Sequence, residues 1–351
     1  MDRSVFALSS FGKAWRRWVC AGPVALLLVL VLAQAHAQVA SPHAIDIPRW
    51  FTDSFLDLRE DVRDAARDGR RVMLYFGQDG CPYCAELMRS GFTQPRIVDR
   101  MKKDMVAIAI NIWGDREVTG IDGRTQGEKE FARSLKVQFT PTLLFLDERG
   151  SVVARLNGYY PPHRLEAAID YVAGKMERKL AFAEHMRTAV KEAAGDRLNE
   201  QDFLMKSARL ERRRGSRPLA VLFESRQCAG CDEMHRDAFG RPEVRALLSR
   251  FDVARFALGE PVAMTSPDGR RTSAERWARE LAITYTPTVV YFDASGREVF
   301  RVEAYVRPFH LASAFDYVAS GAYLREPSFQ RFVQARAERL RERGDRVDLW
   351  Q

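Results

Sequence analysis

Cysteine is scarce in this chain, with five in 351 residues. One, Cys20, sits near the N-terminus. The other four form two Cys-x-x-Cys pairs, "CPYC" at 81–84 and "CAGC" at 228–231, so no cysteine is left for chemistry elsewhere. Histidine is also rare. His43, His163, His185 and His310 are scattered, and His235, one turn after Cys231, reads as a surface residue more readily than as a source of local positive charge. No low-complexity stretch occurs. Net charge is +8, from 55 basic and 47 acidic residues with the signs interspersed. Nucleic-acid binding needs a clustered basic patch. The one dense basic run, "RLERRRGSR" at 209–217, reads as a solvated helix end.

Long apolar runs are missing except near the N-terminus. There Lys13, Arg16 and Arg17 precede "VCAGPVALLLVLVLA" and the small-residue stretch "AQAHA". This order is that of a secretory signal with cleavage after Ala37, giving a signal peptide at 1–37. The apolar run of about 15 residues is short for a spanning helix, although an uncleaved anchor stays open as an alternative. Arg16-Arg17 hints at twin-arginine export without most of its context. Cleavage removes Cys20. It leaves a mature chain with no membrane span and four cysteines, all paired, in the periplasm or outside the cell.

What is present is a repeat. "CPYCAELMRSGFTQP" (81–95) aligns with "CAGCDEMHRDAFGRP" (228–242) without a gap, sharing C-x-x-C-x-E-x5-F-x-x-P. "DGRT" (122–125) matches "DGRRT" (268–272). "FTPTLLFLDERG" (139–150) matches "YTPTVVYFDASG" (285–296), and "AAIDYVAG" (167–174) matches "SAFDYVAS" (313–320). A single one-residue gap relates the halves. The chain is a duplicated domain, with copies at 50–175 and 201–325, a helical linker at 176–200 and a charged helical tail at 326–351.

Each copy carries the same element pattern. A polar helix comes first (55–69; 202–215), then an apolar strand, "RVMLYF" or "LAVLFE". The Cys pair opens a helix. A second strand ("MVAIAINI", "FDVARFAL"), a loop and a short helix follow. Thr-Pro-Thr then leads into a strand, and a Gly turn into another strand and a last helix. This order predicts an α/β fold with a mixed sheet and helices on both faces.

A Cys-x-x-Cys that opens a helix has a chemical logic. Unpaired backbone N–H groups and the positive dipole end converge on the first sulfur and favour thiolate. Cys81 and Cys228 are then the attacking sulfurs. Cys84 and Cys231, one turn on and more buried, resolve the mixed disulfide. Pro141 and Pro287 each precede an apolar strand, where proline is normally unwelcome. A cis X-Pro bond there sets a backbone edge beside the sulfurs, on which a substrate chain can pair as an added strand. Thr140, Pro141, Thr286 and Pro287 are therefore the expected substrate-binding residues.

These features together resemble two thioredoxin-fold domains in tandem, covering roughly 50–175 and 200–325. Each Cys-x-x-Cys and Thr-Pro-Thr matches the dithiol and cis-proline of that family. The Glu-Phe-Pro frame and the inserted Asp-Gly-Arg loop are similar to periplasmic thioredoxins of the SoxW type and to the C-terminal domain of DsbD. The resemblance implies thiol–disulfide exchange on protein substrates, without metal or other cofactor. It implies electrons supplied by a membrane thiol transporter, and reduction as the favoured direction. Disulfide oxidation or isomerisation, or a redox-weak binding or chaperone role, is the alternative.

The chain departs from the family at three points. Gly80 and Gln227 stand where thioredoxin has Trp before its first Cys. Tyr75 and Leu222 stand where it has a buried Asp that assists proton transfer from the resolving thiol. Glu86 and Glu233, two residues beyond each second Cys, are the candidates for part of that role; the other reading makes them exposed helical glutamates. The dipeptides Pro-Tyr and Ala-Gly also differ, so the two sites are expected to be inequivalent. A shared zinc on all four cysteines, or two inert staples, are the competing readings of the sulfur pattern. Tyr159 and Tyr305, and Tyr171 and Tyr317, recur in both copies and read as core packing.

Overall fold

The computed structural model describes residues 45–190, 194–283 and 285–349. The expected signal at 1–37, with Cys20, and His43 lie outside the described residues.

The first copy begins with α1 (Leu58–Arg67), capped by the Asp57 side chain, which accepts from the Arg59 N–H at 3.1 Å. β1 (Arg71–Gly77) follows, then α2 (Pro82–Glu86), which runs on as a wider π-type turn over Leu87–Gly91. Next come α3 (Pro95–Asp104) and β2 (Met105–Asn111). A hairpin of β3 (Glu117–Thr119) and β4 (Thr125–Gly127), turning at Asp-Gly-Arg, leads to α4 (Glu128–Ser134). β5 (Thr142–Leu146), β6 (Val152–Asn157), α5 (Pro162–Ala173) and α6 (Phe182–Ala189) complete it.

The sheet order is β2-β1-β5-β6. β1 pairs parallel with β2 and antiparallel with β5, and β5 pairs antiparallel with β6. β1 is buried along its whole length, as a central strand covered on both faces must be. Its alternate residues serve two cores. Met73 and Tyr75 join Cys81, Cys84 and Leu87 on one face; Val72, Leu74 and Phe76 join Leu58 and Phe131 on the other.

The second copy repeats this: β7 (Leu219–Glu224), α7 (Ala229–Glu233) with its π-type turn Met234–Ala238, α8 (Pro242–Leu248) and β8 (Asp252–Ala257). β9 (Ala263–Thr265), β10 (Arg271–Ser273), α9 (Ala274–Glu280), β11 (Thr288–Phe292), β12 (Glu298–Val302), α10 (Pro308–Ala319) and α11 (Phe329–Glu342) follow. Its sheet order, β8-β7-β11-β12, is the same as the first.

Residues 202–215, expected as a helix, do not form one. The segment runs extended, because its backbone amides are taken by neighbouring strands: Met205 N–H donates to Val253 O at 2.8 Å and Leu210 N–H to Thr265 O at 2.9 Å. Leu210 fills part of the core that α1 covers in the first copy. The basic run is likewise no helix end. The Arg212 side chain is buried and pairs with Asp252 at 2.7 Å, and Arg217 reaches the same carboxylate at 2.6 Å.

The segments expected as linker and tail each supply a helix whose apolar face enters a core. Phe182 and Met186 of α6 join the first core; Phe329, Phe332 and Val333 of α11 join the second. The recurrent tyrosines tie these helices down. Tyr171 Oη donates to Leu180 O at 2.9 Å, and Tyr317 Oη to Glu326 O at 2.6 Å. Both tyrosines are buried in the cores, as their recurrence suggested.

Candidate functional site

Both Cys-x-x-Cys pairs lie where a strand gives way to a helix. β1 ends at Gly77 and β7 at Glu224, and the residue before each first Cys is left-handed: Gly80 at φ 70° and Gln227 at φ 55°. Glycine adopts this without penalty, whereas a residue with a Cβ pays about 1 kcal/mol or more. The turn makes Cys81 and Cys228 the capping residues of α2 and α7. Each first sulfur accepts from the backbone N–H of its partner cysteine, Cys84 or Cys231, at 3.1 Å in both copies. The four sulfurs are spent in two disulfides, Cys81–Cys84 and Cys228–Cys231, each with Cα atoms 5.2 Å apart. Among the described residues, no group of three or more His, Cys, Asp or Glu is placed to hold a metal ion.

The Thr-Pro-Thr segments stand beside the sulfurs. Thr140–Pro141 and Thr286–Pro287 are cis. Cys81 Sγ lies 3.5 Å from Thr140 O. In the second copy, Ser225 Oγ and Thr286 Oγ1 share a hydrogen bond at 2.7 Å, tying the proline loop to the turn before Cys228. A Cβ added to Gly230 would stand 3.1 Å from Pro287 Cδ, so the "AG" dipeptide lets α7 and the proline loop approach closely.

The halves pack with these faces toward each other. Tyr83, inside the first dithiol loop, places Oη 3.1 Å from His310 Nδ1 of α10. Phe139, next to Thr140, belongs to the second half's core, against Phe329 at 5.3 Å and Phe300 at 5.8 Å. Tyr285 makes the reciprocal contact with Tyr160 at 5.6 Å. α11 lies over the first site. Gln330 Nε2 donates to Gln138 O at 3.0 Å, and Gln330 Oε1 accepts from Gln78 Nε2 at 3.3 Å. α6 borders the second site, where Met186 and Arg187 line a groove of about 500 Å³ with Cys228, Ser225 and Thr286. A further cavity of about 170 Å³ lies between the dithiol loops, lined by Tyr83, Thr140, Gly230, Tyr305 and Arg307 among others. Tyr159 and Tyr305, expected as core, pack against the two cores and also line this cavity. In consequence Cys81 is 4 % and Cys228 8 % exposed, and Cys84 and Cys231 are deeper still.

The glutamates expected to move protons are held by arginines. Glu86 Oε2 accepts from Arg89 on the outer side of the helix, and Glu233 Oε1 accepts from Arg307 at 3.3 Å. The buried acid is a different residue. Glu224, the last residue of β7, is fully buried with Oε1 2.6 Å from His235 Nε2. His235 is therefore not a surface histidine: the wider turn at Met234–Ala238 rolls it inward against Phe239, ring centroids 5.0 Å apart. The signal for Glu224 lay in a carboxylate closing an otherwise apolar strand where the first copy has Gly77.

A four-stranded mixed sheet, a dithiol capping the helix after its central strand, and a cis-proline loop at that helix define a thioredoxin-type domain, here present twice. The thioredoxin-like domain family matches residues 58–173 and again 205–319, well over half of the chain, and the protein belongs to that family. Solved structures with similarity include a thioredoxin-fold protein from Helicobacter pylori, at 20% identity over 37% of this chain and 91% of that one, TM-score 0.30. A thioredoxin from Thermus thermophilus gives 25%, 34% and 85%, TM-score 0.28. The C-terminal domain of DsbD from Neisseria meningitidis gives 15%, 33% and 93%, TM-score 0.26. No curated protein matches the chain.

Proposed function

We propose that this protein is a thiol–disulfide oxidoreductase that reduces protein disulfides outside the cytoplasm through two dithiols. The observation that carries the reading is the backbone N–H aimed at each leading sulfur, Cys84 N to Cys81 Sγ and Cys231 N to Cys228 Sγ, both at 3.1 Å. In the reduced state that donor favours an anion over a neutral thiol, and each pKa unit gained is worth about 1.4 kcal/mol.

Cys81 or Cys228 attacks a substrate disulfide, one substrate sulfur leaves as thiolate, and Cys84 or Cys231 then displaces the other. Thr140-Pro141 and Thr286-Pro287 supply the backbone edge on which the substrate chain lies. The apolar N-terminal segment of the sequence supports export to the periplasm, with electrons arriving from a membrane thiol transporter. Among the described residues no helix is long and apolar enough to cross a membrane.

The test is a redox titration of each pair with the other changed to Ser-x-x-Ser, together with insulin reduction. Potentials near about −270 mV support reduction, and values near about −120 mV reverse the direction to oxidation. Unchanged insulin reduction in a Cys81→Ser/Cys228→Ser variant rejects the dithiol mechanism.

A further inference from the structure

The second half carries beside its dithiol a buried ionisable pair that the first half lacks. Glu224 is 0 % and His235 4 % exposed. Strand alternation puts Glu224 on the face of Ala220 and Leu222, which pack with Met234 and Ala238 of the helical segment that follows Cys231. A spacing of four puts His235 on the Cys231 side of that segment.

The first copy shows what occupies this location. The counterparts of Leu222, Cys231 and His235 are Tyr75, Cys84 and Met88, and these three share one core cluster. There Gly77 stands for Glu224, and the Tyr75 hydroxyl fills the space a side chain at Gly77 would need. One repeat thus fills this volume with a phenol and a thioether, the other with a carboxyl and an imidazole.

Burying such a pair costs free energy unless every polar atom is satisfied. Here Glu224 Oε2 and His235 Nδ1 are both buried without a hydrogen-bond partner among the described residues. The first copy fills the same volume without a carboxyl or an imidazole, leaving only the Tyr75 hydroxyl unpartnered there among the described residues, so packing alone does not account for the pair.

We propose that Glu224 and His235 are the proton-accepting pair of the second dithiol, serving Cys231, and that the first dithiol works without one. The inference rests on the dithiol exchange proposed above. In this role Glu224 acts as the carboxylate, Nε2 of His235 carries the shared proton and Nδ1 presents its lone pair. After Cys228 attacks, its sulfur is bonded to one substrate sulfur. The Cys231 thiol passes its proton to His235 Nδ1, and the resulting imidazolium is stabilised by the Glu224 carboxylate. The Cys231 thiolate attacks Cys228 Sγ: the Cys228–Cys231 bond forms and the Cys228–substrate bond breaks. Two electrons pass from the dithiol to the substrate disulfide. Its sulfurs leave as thiolates that take protons from water, and His235 returns its proton to water.

The test uses the full chain with Cys81→Ser and Cys84→Ser, so that only the second dithiol reports. The reduced protein is mixed with a symmetrical aryl disulfide. The first aryl thiolate released reads attack by Cys228, and the second reads resolution by Cys231. Glu224→Gln and His235→Gln are expected to slow the second release relative to the first by at least about tenfold, within the range of general-base effects. The triple variant Leu222→Tyr/Glu224→Gly/His235→Met installs the packing of the first copy and should show the same slowing in a folded protein. Equal slowing of both releases, or an unchanged ratio in the folded triple variant, overturns the proposal. Absence of any first release from the parent protein removes the dithiol reading itself, and this inference with it.

Discussion

Asn157 Nδ2 donates to Glu303 Oε2 at 2.7 Å across the two halves, and the two residues are repeat counterparts, 146 positions apart. A contact between equivalent positions marks a local two-fold relation between the copies, the geometry of a self-complementary dimer interface built into one chain. The contacts of Phe139 and Tyr285, also counterparts, follow the same relation.

Removing this contact tests the relation directly. Asn157→Ala deletes this hydrogen bond and the two that Asn157 Oδ1 accepts from Thr142 and Arg155, and leaves Glu303 with Arg301, so it should cost about 2 kcal/mol or more. Asn157→Asp sets a second carboxylate against Glu303 and should cost more. Urea denaturation midpoints of both variants read the order.

Phe139 couples the halves through apolar packing. It comes from the proline loop of the first copy and is buried in the core of the second. Phe139→Ala should cost about 3–5 kcal/mol. Calorimetry should then show the halves melting in two steps in place of one.

Stability should fall on mild acidification. Burial pushes His310 down from 6.5 to about 4. The unfolded chain takes up a proton near 6.5, whereas the folded protein does so only near 4. Stability present at pH 7 is therefore lost as pH falls from about 6.5 to about 4, by up to about 3 kcal/mol, and no further below. A neutral ring also suits the hydrogen bond between Nδ1 and the Tyr83 hydroxyl. Melting temperatures at pH 7 and pH 5 should differ less in His310→Gln than in the parent.

Gly230 gives an activity prediction. With Pro287 Cδ 3.1 Å and Tyr305 Cβ 3.4 Å from an added Cβ, Gly230→Ala must push the proline loop away from Cys228. A cost of about 1 kcal/mol in stability is expected. Second-site turnover, measured with the first dithiol changed to Ser, should drop several-fold while first-site turnover holds.

Much of the fold was written locally. The duplication, both dithiols, the proline loops and the buried central strands follow from motifs and alternation that neighbouring residues impose on one another. The missing helix at 202–215 did not, because its polar pattern is compatible with a helix and only the strands beside it claim its amides. His235 was misjudged for a related reason: helical spacing gives a side chain's direction but not what covers it. Glu224 drew no attention for the same reason: a single carboxylate ending an apolar strand does not show along the chain that it will be buried against His235.

By itself, the sequence determined two copies of one domain and a cysteine pair at the head of a helix in each, since strand period, helix capping and turn residues act over a few positions. Only the tertiary structure decided that the two dithiol faces cover each other, that α6 and α11 close the cores, and that a carboxyl and an imidazole eleven residues apart meet in the second half. Those outcomes depend on shape complementarity and on desolvation between distant segments, and no local pattern encodes them.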